Sequence, residues 1–215
     1  MGTIRKGILG GFSGKVGTVV GGNWKGIGYM RSLPVKVRNP RTLPQLTQRS
    51  KFAITLNYLR PLNALLRTSW KLYAHGQSPI NAAMSYTLAN AVRGAYPNYS
   101  IDPAKVLISR GNSTPARNAT AFVESGVVEI TWDDNSGVNS AKQTDKALIA
   151  IVNRERGEVI TDSGGAERMT GMQSVEMPAD WSGEPVDVYL GFISEDGKEV
   201  ANSVYLGNLV VAGIA

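Results

Sequence analysis

Apolar and polar residues alternate in three ways along this chain, and each predicts a different kind of structure. In residues 7–31, GILGGFSGKVGTVVGGNWKGIGYMR, a glycine recurs every second or third position, with Ile8, Phe12, Val16, Val19, Val20, Trp24, Ile27, Tyr29 and Met30 between them. That is too apolar for a solvated linker, and Val, Ile, Tyr and Trp favour strands. We read residues 15–21 and 26–33 as two strands, with Gly22-Asn23-Trp24-Lys25 turning between them. Glycine inside a strand marks a bulge or the close approach of another backbone. The stretch is therefore expected to be an assembly ribbon, with Phe12, Val20 and Trp24 as its contact residues.

A helical period follows. Pro34 and Pro40 predict an extended strap up to residue 40. Thr42-Leu43-Pro44-Gln45 fits a capping box with proline in the first turn, so a helix should begin near Leu43. Phe52, Leu56, Leu59, Leu66 and Trp70 fall on one helical face, and Pro61 should kink or split the helix near Leu59. Ser78-Pro79 starts a second helix over residues 80–92, with Met84, Leu88 and Val92 on one side, predicted to pack on the first as a hairpin.

Beyond residue 102 the period shortens. Val128, Ile130 and Trp132 alternate on one face, as do Val188, Leu190 and Phe192. Turn sequences such as Asp134-Asn135-Ser136-Gly137, Trp181-Ser182-Gly183 and Glu195-Asp196-Gly197 separate the runs. Six to eight strands at this spacing predict an antiparallel sandwich, with Trp132 in its core. The expected class is α+β: a basic β-ribbon and helical hairpin over residues 1–101, then an immunoglobulin-like β-sandwich over residues 102–215.

Charge sharpens this division. Residues 1–101 contain fourteen Lys and Arg and no acid, whereas residues 102–215 hold all seventeen acids and nine bases. Such asymmetry points to a polyanion or an acidic partner surface, or to neutralisation between the two halves. The candidate docking residues are Lys15, Lys25, Arg31, Lys36, Arg38, Arg41, Arg49, Arg60, Arg67 and Lys71. On an unbroken helix Arg49, Arg60, Arg67 and Lys71 lie within roughly 40° of one another, beside the apolar stripe. Their stems could equally snorkel over the rim of the core.

Candidate chemistry changes the picture little. Gly14-Lys15 supplies the G-K pair of a phosphate-binding loop, but Leu9 stands where its first glycine belongs and Val16 where its hydroxyl belongs. There is no cysteine, and His75 is the sole histidine, placed after a helix with no acid nearby in sequence. It is expected in a loop and not as a catalytic base. Asp133-Asp134-Asn135 resembles the start of a calcium loop but lacks the later glutamate, so a hairpin turn is expected. No cofactor, metal or catalytic residue is assigned. The glycines and Lys15 interrupt any signal-peptide core after Arg5-Lys6, and no apolar run spans a membrane. A cytoplasmic or virion location is expected.

SGKVGTVVGGNWKGIGYMRSLP, RNPRTLPQLTQRSKF and TSWKLYA, with TWDDNSG and VYLGFISEDGKEVANSVYLG later, resemble a bacterial family of unknown function. The strap and first helix also resemble small phage and prophage structural proteins. In those, a basic NP-T-x-x-Q-x-x-x-R-x-x-F element precedes a helix ending in tryptophan. The matching positions here are Asn39, Pro40, Thr42, Gln45, Arg49, Phe52 and Trp70. Neither resemblance implies catalytic residues. The expected function is a non-enzymatic structural subunit of a virion or prophage particle, partnered by itself or other subunits and homo-oligomeric. The alternatives are a stand-alone DNA- or RNA-binding protein and a carbohydrate-binding or hydrolytic protein using sandwich loops.

Overall fold

The computed structural model of the chain describes residues 2–4, 10–24, 26–34 and 41–211. The chain forms two bodies, Met1–Gln45 and Leu46–Ala215.

The first body is an antiparallel sheet of four strands in chain order: β1 (Thr3–Ile4), β2 (Phe12–Val16), β3 (Val19–Trp24) and β4 (Ile27–Ser32). One turn falls at Gly17-Thr18 and the other at Gly26, between the paired Trp24 and Ile27, not at 22–25 as expected. Glycine decides this. Gly17 and Gly26 have φ of 55° and 87°, the left-handed region that two-residue hairpin turns require. The Asn23 side-chain oxygen also accepts the Gly26 N–H at 2.9 Å. Residues 22–24 therefore continue strand β3 and pair with 27–29. The strap at residues 35–40, and with it Lys36, Arg38, Asn39 and Pro40, lies outside the described residues, as does Lys25.

The second body opens with helices α1 (Leu43–Leu59, which starts at the end of the first body), α2 (Asn63–Ser69) and α3 (Pro79–Asn90). Pro61 sits in the break between α1 and α2. The Ser78 hydroxyl caps α3 by accepting the Asn81 N–H, with Pro79 in the first turn. A short hairpin, β5 (Val92–Ala95) and β6 (Asn98–Ile101), closes the helical part. It occupies the RGAYPNYSI stretch, for which the sequence predicts no strand.

Seven strands follow: β7 (Arg117–Glu124), β8 (Val127–Asp133), β9 (Lys146–Asn153), β10 (Glu158–Asp162), β11 (Met172–Glu176), β12 (Pro185–Ile193) and β13 (Val204–Val210). They form two antiparallel sheets, β11–β8–β7 and β10–β9–β12–β13. The strand order and the switches between sheets are those of an immunoglobulin-like sandwich. Val128, Ile130 and Trp132 meet Ile149, Ile151, Val188, Leu190 and Phe192 in the sandwich core. Asp134–Gly137 is not a hairpin turn, because β8 and β9 belong to different sheets and residues 134–145 cross between them.

A second core lies on the other side of the four-stranded sheet. Leu148, Ala150, Val152 and Tyr189 face outward from β9 and β12 and pack with Tyr58, Leu59, Leu62, Leu66, Trp70, Ala83 and Met84 of the helical part. The helices and the sandwich thus share a core, and no division falls at residues 101–102. The change of charge at Asp102 runs through one body. The buried face of α1 is Thr55, Tyr58 and Leu59, whereas Phe52 and Leu56 of the expected stripe are exposed. Packing on the sheet rotates the helix toward the residues that reach Tyr189, where the Tyr58 and Tyr189 hydroxyls lie 2.7 Å apart.

Candidate functional site

The candidate site is the ribbon of the first body. Directly paired residues share a face of a sheet, so the register sorts its side chains. One face carries Lys15, Val20 and Arg31 as a row across β2, β3 and β4, followed by Gly22 with Tyr29 and then Trp24 with Ile27. The other carries Val16 with Val19, and Gly21 with Met30. Both faces are open: Trp24, Ile27 and Met30 are 63, 65 and 71% exposed. Isolated exposed apolar residues are ordinary, whereas larger contiguous exposed apolar patches are, in proteins generally, characteristic of interaction surfaces.

The three predicted contact residues do different things. Trp24 is exposed on the row with Ile27. Val20 is half-buried between Lys15 and Arg31. Phe12 turns inward: its ring and carbonyl oxygen lie where a Cβ on Gly21 would sit. Gly21 is thus needed for the β2–β3 approach, and Phe12 is used inside the ribbon.

The described candidate cations are divided between the two bodies. Lys15 and Arg31 share a ribbon face, and Arg41 precedes α1. Arg49, Arg60, Arg67 and Lys71 are exposed along α1, the Pro61 break, α2 and the 3-10 turn after it. Because α1 stops at Leu59 and α2 restarts at Asn63, the 100° geometry that aligned these four no longer applies across the break. Among the described residues, Lys15, Arg31, Arg60, Arg67 and Lys71 form no ion pair with an acid. Most of the later bases are used differently: Arg93, Lys142, Lys146, Arg154, Arg156, Arg168 and Lys198 pair with carboxylates.

Three polar constellations in the second body escaped the sequence reading. Arg168 is fully buried; its guanidinium donates to Asp145 at 3.2 Å, Asn135 at 2.6 Å and the Thr114 carbonyl at 2.9 Å, and stacks 3.9 Å over the Phe192 ring. Burial pulls its pKa down and Asp145 pulls it back up. Arg110 lies over Tyr73, Tyr86 and Trp70 at 4.4, 5.0 and 5.6 Å, pinning the helices to the segment that leads into the sandwich. Tyr189 donates to the Pro103 carbonyl at 3.0 Å, and Tyr205 donates to Asp187 at 2.8 Å. Burial pushes the Tyr58, Tyr189 and Tyr205 hydroxyls well above the usual tyrosine range. Each of these networks joins residues far apart in sequence, so neither spacing nor periodicity marks them.

A cleft of about 360 Å³ lies between α1, β6 and the β9–β10 turn, lined by Ile54, Tyr58, Pro61, Tyr99, Val152 and Arg154 among others. Two of its polar residues, Asn153 and Arg154, are already engaged. Asn153 accepts the Glu155 and Arg156 N–H groups, and Arg154 pairs with Asp187. No carboxylate lines it, so it offers no acid–base pair for hydrolysis. His75 is exposed beyond the 3-10 turn, and the described residues contain no group of three His, Cys, Asp or Glu placed to hold a metal. No helix among the described residues is long and apolar enough to cross a membrane.

Comparison with known proteins bears on the family and not on the site. No curated protein matches the chain. Among solved structures, the fn3 domain of human collagen alpha-1(XX) chain is similar, at 12% identity over 50% of this chain and 94% of that one, with a TM-score of 0.36. Residues 11–207, from the ribbon to the last strand, match the model of a family of unknown function, DUF6266. The chain belongs to the DUF6266 family.

Proposed function

We propose that this protein is a non-enzymatic structural subunit that assembles through the ribbon of its first body, in a particle or filament of repeated copies. The observation that carries this reading is the open ribbon. A sheet gains stability by burying a face, and here Trp24, Ile27, Tyr29, Met30 and Val16 are exposed on its two faces. Every residue of β4 is exposed, and this edge strand offers unpaired backbone for strand addition as well.

Light scattering of the intact protein over a concentration series at low salt tests the reading. Species larger than the monomer are expected, and the Trp24→Ser/Ile27→Ser double variant should lose them while its thermal unfolding stays unchanged. An intact protein that remains monomeric at every concentration and salt would overturn the proposal. Salt-steep binding of a short DNA duplex by such a monomer would instead support the polyanion reading raised by the basic N-terminal half.

A further inference from the structure

The ribbon has a complementary surface on the sandwich. The three-stranded sheet β11–β8–β7 buries Val128, Ile130 and Trp132 in the core, so the residues between them face outward. Register places Glu124, Val127 and Glu176 side by side across the three strands. The next row is Phe122, Glu129 and Ser174, and the one after it Thr120, Thr131 and Met172. Phe122 and Met172 are 42 and 47% exposed. Arg117, at the far end opposite Asp133, is the only base in these strands.

This face and the ribbon face share one pattern with opposite sign. The ribbon has Lys15–Val20–Arg31 across three antiparallel strands; the sandwich has Glu124–Val127–Glu176. In each, two charges flank a central valine at two strand spacings, roughly 10 Å apart. In each, apolar side chains stand one and two rows further along: Tyr29, then Trp24 and Ile27, on the ribbon; Phe122, then Met172, on the sandwich. Residues 1–45 carry eight bases and no acid, so the ribbon meets an acidic sheet without like-charge opposition.

We propose that the Lys15–Val20–Arg31 face of the ribbon docks on the Glu124–Val127–Glu176 face of a second copy. This rests on the assembly reading above and names its partner. Because the two surfaces differ, the contact is heterologous and repeats head to tail, giving a ring if the rotation closes and a filament if it does not.

Two charge-reversed proteins test this: Glu124→Lys/Glu176→Lys and Lys15→Glu/Arg31→Glu, each of the full chain and each checked for folding by circular dichroism. All four positions are exposed. Analytical ultracentrifugation at low salt should show each variant alone associating at least about 100-fold more weakly than the parent, since facing like charges costs several kcal/mol. An equimolar mixture should recover assembly, because each then offers the sign the other needs. Cross-linking a mixture of isotopically light and heavy parent chains should join ribbon lysines to sandwich acids of differently labelled copies. Variants that assemble like the parent would overturn this face while leaving the ribbon's assembly role standing. Ribbon–sandwich cross-links confined to single chains would overturn the second copy as occupant. A parent that never assembles would overturn both.

Discussion

Tyr58, Tyr189 and Asp187 show how single residues tie the helices to the sandwich. The two hydroxyls meet between α1 and β12, and Asp187, fully buried on β12, accepts from Tyr205 and Asn208 and pairs with Arg154. Burial raises the Tyr58 and Tyr189 pKa values above the usual tyrosine value of about 10. A group whose folded pKa is raised contributes stability that is complete below its unfolded pKa. The contribution is lost as pH rises, because the unfolded chain then sheds protons that the folded chain keeps. Stability should therefore fall above about pH 10, by up to about 1.4 kcal/mol per pH unit for each tyrosine. Urea unfolding between pH 8 and pH 11 should show this slope, shallower in Tyr58→Phe; an unchanged slope would mean that Tyr58 ionises as freely folded as unfolded. None of these partners is visible locally in sequence. Tyr58 and Tyr189 are separated by more than half the chain, and only the packing of α1 on β12 brings them together.

At the scale of elements, glycine shapes the ribbon more than its apolar residues do. Gly21 admits the Phe12 ring and backbone; Gly17 and Gly26 set the two tight turns. Gly21→Val should therefore unpair β2 from β3, read as faster amide hydrogen exchange in residues 12–16 and 19–21 with the second body unaffected. Unchanged exchange would show that Phe12 can swing away at no cost to pairing. The strand propensity of this stretch was legible from its Val, Ile, Tyr and Trp residues. The turn position was not, because Gly22-Asn23 and Lys25-Gly26 both supply turn chemistry, and pairing along β3 and β4 decides between them. The helix start at Leu43, the Ser78 cap and the break at Pro61 were legible because they depend on neighbouring residues alone.

For the whole molecule, the shared core sets the folding unit. A chain beginning at residue 102 would lose the helices that cover Leu148, Ala150, Val152 and Tyr189. It should aggregate or stay loosely packed, whereas a chain of residues 46–215 should unfold cooperatively in urea. A cooperative, soluble fragment 102–215 would show that the sandwich supports itself. The β9 and β12 sequences KALIAIVN and PVDVYLGFI carried a signal for this arrangement. Near-continuous apolar runs mean strands buried on both faces, and simple alternation reads only one of them.

The sequence by itself determined the order and type of most elements, the inward face of β8 and the concentration of basic charge toward the N-terminus. These follow from local sterics, periodicity of side chains and composition, which need no knowledge of distant residues. The tertiary structure alone decided that helices and sandwich form one body, and that α1 buries Thr55, Tyr58 and Leu59 instead of Phe52. It also decided that Arg168 lies fully buried among Asp145, Asn135 and the Thr114 carbonyl. Those outcomes depend on which surfaces and partners meet across more than a hundred residues of chain in some cases and a few tens in others. Burial rewards the total fit of both sides, and one sequence window describes only one side of it.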